Sequence, residues 1–316
     1  MVDAAARHGV SAWVADAFAS AAVTLPQGEQ VRLTKDARAQ ISHGMRMKRL
    51  TGLVLEALGK EGVTPVLLKG AGLASRLFPE QPLARPSSDV DVLVHPDELP
   101  RAHRAMGALG LTERHDDSLG DVFEEHHHLA FYRPGQLVEV HFRLFSGFGA
   151  RVFDDFSIRA RLIEGAFAGH PVRWLAPDDE FIYLATHAAN HAFLRLSWLL
   201  DLRRYLDRYP LDWPVMGARC RAAGFHAAVA ASLWLLESAL AVELPRAAHE
   251  AFPLGSLRRR VHLRVFSPEH VEAADLSTHP VAGFGLRVWL VDSPVSALRH
   301  VTGGARRLLR RVGARR

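Results

Sequence analysis

Two aspartates that alternate with valines are the residues of this chain best suited to chemistry. The segment Ser88-Asp-Val-Asp-Val-Leu-Val94 predicts a strand that buries the valines and projects the carboxylates of Asp89 and Asp91 from one face. Neighbouring carboxylates repel each other unless a positive charge lies between them, and carboxylate oxygens are preferred ligands of hard divalent cations such as Mg²⁺. The pattern therefore predicts a metal site on this strand.

A third carboxylate stands in a matching position. Glu139 lies among alternating apolar residues, which predicts a second strand. With Arg133-Pro-Gly-Gln136 as a two-residue hairpin turn, Ala130 is expected opposite Glu139 and His128 opposite His141. His141 shares the face of Glu139, so it is a candidate to orient that carboxylate or to contact an acceptor.

Three consecutive histidines precede this hairpin, at positions 126, 127 and 128. Because a strand sends alternate side chains to opposite faces, at most His126 and His128 are expected on the face of Glu139. Imidazole ligands favour zinc and other borderline metals, so the tract would compete with a magnesium site. A zinc site is therefore the less favoured interpretation of this region.

A second segment supplies candidate phosphate contacts. Val66-Leu-Leu-Lys-Gly-Ala-Gly-Leu73 predicts a buried strand that runs into a helix at Gly70, where backbone N–H groups can hold phosphate and the glycine permits close approach. Lys69 is one of only four lysines among 39 basic residues, and its compact ammonium suits phosphate; the alternative is a lysine whose stem packs at a strand end. Arg85 is a second candidate phosphate contact, with a solvated loop arginine as its alternative.

Together these motifs resemble the nucleotidyltransferase superfamily that includes DNA polymerase β-like enzymes, and within it a broad bacterial group of uncharacterised nucleotidyltransferases. The resemblance covers about residues 40–210, and it rests on the motifs above with Arg85, Thr186-His-Ala-Ala-Asn-His191 and Leu200-Asp201. In such enzymes the Asp-x-Asp pair and the third carboxylate bind two divalent metals, which the resemblance places on Asp89, Asp91 and Glu139.

The resemblance also implies a fold. It is an α+β fold in which a small mixed-sheet nucleotidyltransferase domain is flanked by an N-terminal helical segment and a C-terminal helical domain. The order of helical and strand patterns predicts boundaries at 1–61, 62–176 and 177–316 for these three parts. Ala71 departs from the superfamily, because it stands where a serine hydroxyl usually lies in the phosphate loop.

Three residues of the predicted C-terminal domain are spaced four apart, namely His187, His191 and Arg195. On one helix they would share about one face, and the resemblance favours a face directed at the site. A metalloprotease site is excluded, because Ala188 stands where that motif requires glutamate after the first histidine. The alternative is a pair of histidines that hydrogen-bond among neighbouring helices.

The resemblance implies a Mg²⁺-dependent nucleotidyltransferase that uses a nucleoside triphosphate, with AMP from ATP as the family's suggestion. Two Mg²⁺ ions on the three carboxylates would hold the triphosphate, and Glu139 or a metal-bound hydroxide would act as general base. The predicted nucleotide-binding residues are Lys69, Gly70, Arg85, His141, His187, His191 and Arg195. Two alternatives stay open: a metal-dependent phosphohydrolase or phosphotransferase, and a nucleotide-binding protein without catalysis.

Composition limits the partners. The patterns of stacked aromatics and basic grooves that polynucleotide-binding proteins favour are not visible, so a hydroxyl of a small molecule, peptide or protein is the preferred acceptor over nucleic acid. The net charge of +5 owes much to arginines in the last eleven positions, which predict a solvated tail or a helix that contacts phosphate or a membrane surface. A single cysteine and the absence of an apolar run of ~18 residues predict a cytoplasmic protein without a membrane span.

Overall fold

The computed structural model describes residues 1–114, 127–144, 156–255, 257, 260 and 290–292. They are grouped into two compact units, the first ending at Ala176 and the second beginning at Pro177. The three-part division into 1–61, 62–176 and 177–316 stays a prediction. His126 of the histidine tract and the arginine-rich end, residues 306–316, lie outside the described residues.

Three helices precede the sheet of the first unit. They are α1 (Val2–His8), α2 (Ser11–Ser20) and α3 (Gln27–Lys60). Pro26 immediately precedes α3, at a position where a proline loses no helical hydrogen bond. On α3, Leu50, Val54 and Leu58 recur four apart, and they are buried in one core cluster with the strands.

Within the described residues, seven strands form one mixed sheet in the order β3-β4-β5-β2-β1-β7-β6. Their bounds are β1 (Val66–Leu67), β2 (Val90–Leu93), β3 (Thr112–Glu113), β4 (His128–Arg133), β5 (Gln136–His141), β6 (Ile163–Phe167) and β7 (His170–Trp174). β2 pairs in parallel with β5 and antiparallel with β1, while β1 pairs in parallel with β7. The mixed sheet flanked by helices confirms the predicted fold class.

Short helices connect these strands. They are α4 (Gly70–Leu77) between β1 and β2, a 3-10 turn (Pro96–Glu98) with α5 (Leu99–Ala108) between β2 and β3, and α6 (Phe156–Arg159) before β6. Val90 and Val92 of β2 join the core that α3 and α5 cover. Asp91 alternates with them and therefore lies on the opposite face of the sheet.

The β4–β5 hairpin has the predicted register. Its paired residues include Arg133 with Gln136, Ala130 with Glu139 and His128 with His141. Gly135 has a φ of 77°, a value that the tight turn requires and that glycine adopts without strain.

The β6–β7 hairpin is not predicted by the sequence patterns. β6 contains Gly165 and Ala166, which favour strands weakly. The glycine is needed because a Cβ at position 165 would lie 2.2 Å from Nε1 of Trp174 on β7. Close packing against the Trp174 ring therefore requires a glycine at position 165. Because glycine is uncommon in strands, the sequence of β6 does not indicate a strand.

The second unit is helical where it is described. It contains α7 (Pro177–Asn190), α8 (Leu196–Arg208), α9 (Trp213–Ala223), α10 (His226–Leu240) and α11 (Arg246–Ala251). Between these helices lie Pro210, Gly224 and Pro245, residue types that commonly mark turns. None of the described helices combines the length and the apolar character that crossing a membrane requires.

Candidate active site

Asp91 and Glu139, two of the predicted site carboxylates, are neighbours because β2 and β5 are adjacent in the sheet. β2 and β5 are parallel and pair Asp91 with Glu139 directly. One ligand-type atom from each of Asp91, Glu139 and His141 lies within 4.8 Å of the other two. A group of two carboxylates and one imidazole at these separations can hold a divalent cation.

Asp91 is compensated by two basic side chains. Its Oδ1 lies 3.2 Å from Nζ of Lys69 and 3.0 Å from Nε2 of His141. The same Nε2 lies 3.4 Å from Oε2 of Glu139. The Asp91 side chain has 0% exposure and that of Lys69 13%, so this charge pair is screened little by solvent.

The pKa values of the acidic groups record how close they are to one another. Burial, followed by the charge of Asp91, raises the pKa of Asp89 from 3.8 to about 6. Burial also favours the neutral form of Glu139, but the hydrogen bond from His141 and the charge of His128 outweigh it and lower the pKa of Glu139. Asp89 is not among the residues whose ligand atoms meet within 4.8 Å, so it acts on this group through its charge.

His141 is held by the two carboxylates. Burial favours the neutral ring, but the hydrogen bonds to Asp91 and Glu139 outweigh it, so the pKa of His141 lies above its ordinary value. Its cationic form therefore stabilises the two acids beside it. Lys69 adds a second positive charge to the same place.

The start of α4 packs against the segment that leads into β2. Gly70 has a φ of 65°, and a Cβ there would lie 3.1 Å from Oγ of Ser87. Ser87 donates its hydroxyl to the carbonyl of Asp89 at 2.8 Å, and its own carbonyl contacts Nε2 of His43 at 2.7 Å. These contacts fix the backbone on which Asp89 is carried.

Arg85 is buried, so the alternative of a solvated loop arginine is wrong. Its Nη1 donates to the carbonyl of Pro86 at 3.0 Å and to the carbonyl of Gly70 at 3.4 Å. Arg85 therefore links the glycine turn to the loop before β2. A contact with phosphate stays a prediction for Arg85, as it does for Lys69.

A family model described as an uncharacterised nucleotidyltransferase matches residues 1–241. The chain belongs to this family of nucleotidyltransferases. Among solved structures it is similar to the solution structure of the antibiotic-resistance factor ANT(2'')-Ia, with 12% identity, 74% of this chain and 91% of that chain covered, and a TM-score of 0.34. No curated protein matches it in sequence.

The raised pKa of Asp89 predicts how stability of this nucleotidyltransferase depends on pH. Because the folded state binds this proton more tightly, the stabilisation is complete below about pH 4 and is lost as the pH rises through about 6. In the metal-free protein Asp89→Asn should therefore leave stability nearly unchanged at pH 4 and raise it by roughly 1–3 kcal/mol at pH 8. Urea denaturation in EDTA at both pH values measures the difference, and equal stabilities at pH 8 would contradict it.

Gly70 supports a second prediction, because its backbone conformation and its space both exclude a side chain. Gly70→Ala should lower the free energy of unfolding by roughly 1–3 kcal/mol and weaken nucleotide binding, since the turn must shift away from Ser87. Gly107→Ala is the matched control, because it lies within α5 with nothing within 4 Å and should be neutral or stabilising. Thermal melting of both variants measures the difference in stability. Equal losses of stability in Gly70→Ala and Gly107→Ala would contradict a special requirement for glycine in the turn.

The nucleotidyltransferase's predicted helical stripe is wrong in one respect. α7 ends at Asn190, and Ala192 and Phe193 have φ values of 51° and 57°, so Arg195 lies beyond the helix in extended conformation. Three residues therefore do not share one helix face. Left-handed backbone at two residues that are not glycine is costly, and neither residue type signals it in a sequence.

The two histidines of that motif do lie together. The rings of His187 and His191 have centroids 4.7 Å apart, and each is 5.2 Å from the ring of Trp198 on α8. They belong to the second unit with Arg195. Their contact with nucleotide stays a prediction.

His127 is a neighbour that strand alternation did not predict. β4 begins at His128, so the residue before it is not bound by the alternation of the strand. The ring of His127 lies 4.5 Å from that of His128 and 5.2 Å from that of His141, between centroids. The histidine tract in the sequence was the only signal of this cluster.

Proposed function

We propose that this nucleotidyltransferase is a Mg²⁺-dependent enzyme that transfers a nucleoside monophosphate, AMP from ATP, to a hydroxyl of a small molecule, peptide or protein. The observation that supports it is the group formed by Asp91, Glu139 and His141. Lys69, at the start of α4, contacts the same group. Carboxylates for a cation and a helix start for phosphate thus meet in one unit of the protein.

The donor set fits Mg²⁺. Carboxylate oxygens on adjacent strands are hard ligands, and the raised pKa of Asp89 reflects a concentration of negative charge that a cation would relieve. Asp89, Asp91 and Glu139 would hold the ion or ions. Bound Mg²⁺ supplies electrostatic stabilisation of the transferring phosphoryl group and of the leaving pyrophosphate.

The protein's own groups would have distinct parts. Lys69 would place an ammonium against the phosphates, while the backbone N–H groups after Gly70 would donate hydrogen bonds to the phosphate oxygens. Glu139 stays ionised at neutral pH despite its burial, since its pKa is lowered; it would accept a hydrogen bond from the acceptor hydroxyl and is the proposed general base. His141 would keep the carboxylates of Asp91 and Glu139 in place through contacts with its Nε2.

The experiment that tests this function measures where the α-phosphorus of ATP goes. The protein is incubated with Mg²⁺, ATP labelled at the α-phosphorus and a fractionated mixture of small molecules and proteins. Transfer gives a labelled acceptor together with pyrophosphate, whereas a phosphohydrolase releases phosphate and leaves no label on an acceptor. Glu139→Gln should abolish both transfer products. Calorimetry with a non-hydrolysable ATP analogue and Mg²⁺ is run in parallel: binding without products would indicate the inert alternative, and neither binding nor products would overturn the proposal.

A further inference from the structure

Three imidazole rings form a cluster beside the carboxylates. One nitrogen from each of His127, His128 and His141 lies within 4.8 Å of the other two. The ring centroids are 4.5 Å, 5.2 Å and 5.1 Å apart for the three pairs. The first two rings are partly buried and the third is buried. Nothing in the transfer reaction proposed above requires three histidines in one place.

His141 directs only one of its two nitrogens at the neighbouring carboxylates. Its Nε2 is hydrogen-bonded to Oδ1 of Asp91 at 3.0 Å, so this nitrogen carries the proton that the carboxylate accepts. The two nitrogens of an imidazole point in divergent directions, so Nδ1 opens away from Asp91. Nδ1 is buried and has no hydrogen-bond partner among the described residues. A buried nitrogen without a partner is costly, and a cation that replaces the Nδ1 proton of the cationic ring removes that cost.

The other two rings have the spacing of metal ligands. Nε2 of His127 lies 3.3 Å from Nδ1 of His128. Two nitrogens bound to one tetrahedral zinc ion at about 2.0–2.1 Å are separated by about 3.3 Å. Nε2 of His128 faces Oε1 of Glu139 at 3.7 Å. His128 and His141 therefore both present one nitrogen to a carboxylate and the other away from it, which is the usual environment of a metal-bound histidine.

We propose that His127, His128 and His141 form a binding site for one borderline divalent d-block cation, with Zn²⁺ as the expected ion. Three imidazoles favour such ions over Mg²⁺, which prefers oxygen ligands. His141 belongs to this site through Nδ1 and to the carboxylate group through Nε2, so the two sites adjoin at one ring. A cation on Nδ1 of His141 fixes the protonated Nε2 against Asp91, so it would orient the carboxylate on which transfer depends.

This proposal reverses the expectation from sequence that zinc is the less favoured ion. That expectation assumed that the tract is a strand throughout, so that consecutive histidines diverge. Because β4 begins at His128, the ring of His127 is free of that alternation and joins the other two. The cluster therefore depends on where the strand begins, which sequence periodicity does not fix.

The test is cation binding in the presence of competing magnesium. Metal-free protein is titrated with Zn²⁺ by calorimetry in a large excess of Mg²⁺, and with Co²⁺ by visible absorption, whose intensity reports a low coordination number. We expect one equivalent of each ion to bind. His127→Ala and His127→Gln should weaken binding by at least about 100-fold, since even residues behind the ligands change metal affinity by about 10–100-fold. His170→Ala, on the distant strand β7, is the matched control and should bind as the unaltered protein does.

The outcome is separable from the proposed transfer reaction. Asp89→Asn removes a carboxylate that the histidine cluster does not contact, so it should retain Zn²⁺ binding whether or not the protein transfers nucleotide. Displacement of Zn²⁺ by Mg²⁺ would assign the ion to the carboxylates and overturn the proposal. Unchanged affinity in both folded His127 variants, verified by circular dichroism, would overturn it as well.

Discussion

Asp89→Asn and Asp91→Asn should each lower nucleotide transfer by at least about 1,000-fold and should shift stability in opposite directions. A loss of that size corresponds to about 4 kcal/mol of transition-state stabilisation, as expected when a charged metal ligand is removed. Asp89→Asn removes repulsion from the metal-free site and should stabilise the fold. Asp91→Asn removes the partner of partly buried Lys69 and of buried His141 and should destabilise the fold by roughly 1–3 kcal/mol.

Transfer rates with Mg²⁺ and chemical denaturation in EDTA measure the two effects. Asp97→Asn is the matched control, because this aspartate follows β2 closely but its side chain is 90% exposed. It should leave both activity and stability unchanged. Retention of more than about a tenth of the activity by both site variants would contradict the metal mechanism. Stabilisation by Asp91→Asn would contradict the charge pairing.

Lys69→Met should weaken nucleotide binding by at least about tenfold and also lower stability without metal. The methionine keeps most of the apolar stem, so the lost ammonium is the main change. Because Nζ of Lys69 lies 3.2 Å from buried Asp91, its removal leaves the carboxylate less compensated and should cost roughly 1–3 kcal/mol. Mg²⁺ should restore most of that stability by supplying the missing positive charge.

Calorimetry with an ATP analogue and denaturation with and without Mg²⁺ test the two parts of this prediction. Lys60→Met is the matched control, since Lys60 is exposed and pairs with Glu56 on the same helix. Equal nucleotide affinities in the Lys69→Met variant and the unaltered protein would assign Lys69 to structure alone. A stability loss that Mg²⁺ does not reverse would show that the lysine compensates something other than a metal site.

Local patterns are sufficient to predict the hairpin register and the helix start at the candidate site. Turn chemistry at Pro134-Gly135 and alternation in β5 predict the register that sets Ala130 opposite Glu139, and this register is confirmed. The helix start at Gly70 is likewise predicted, because a glycine after a buried strand marks a change of backbone conformation. In each case neighbours in sequence determine the geometry.

Features that depend on tertiary packing were not predictable in the same way. Gly165 is selected by Trp174 across the β6–β7 hairpin, so its strand resembles a loop in the sequence. The end of α7 depends on left-handed backbone at Ala192 and Phe193, which packing must impose. The pairing of Asp91 with Lys69 and His141 requires β1, β2 and β5 to be adjacent, and no local pattern states the order of strands in a sheet.

The parallel pairing of β2 with β5 has a consequence for the rates of folding. β4 and β5 are joined by a short turn and can pair within about 1–10 μs. Asp91 and His141 are separated by 50 residues, so they meet only after a long loop has closed. Repulsion between the carboxylates of β2 and β5 therefore arises only once that loop has closed. We infer that this contact forms after the transition state of folding, and we therefore expect Mg²⁺ to slow unfolding and to leave the refolding rate nearly unchanged.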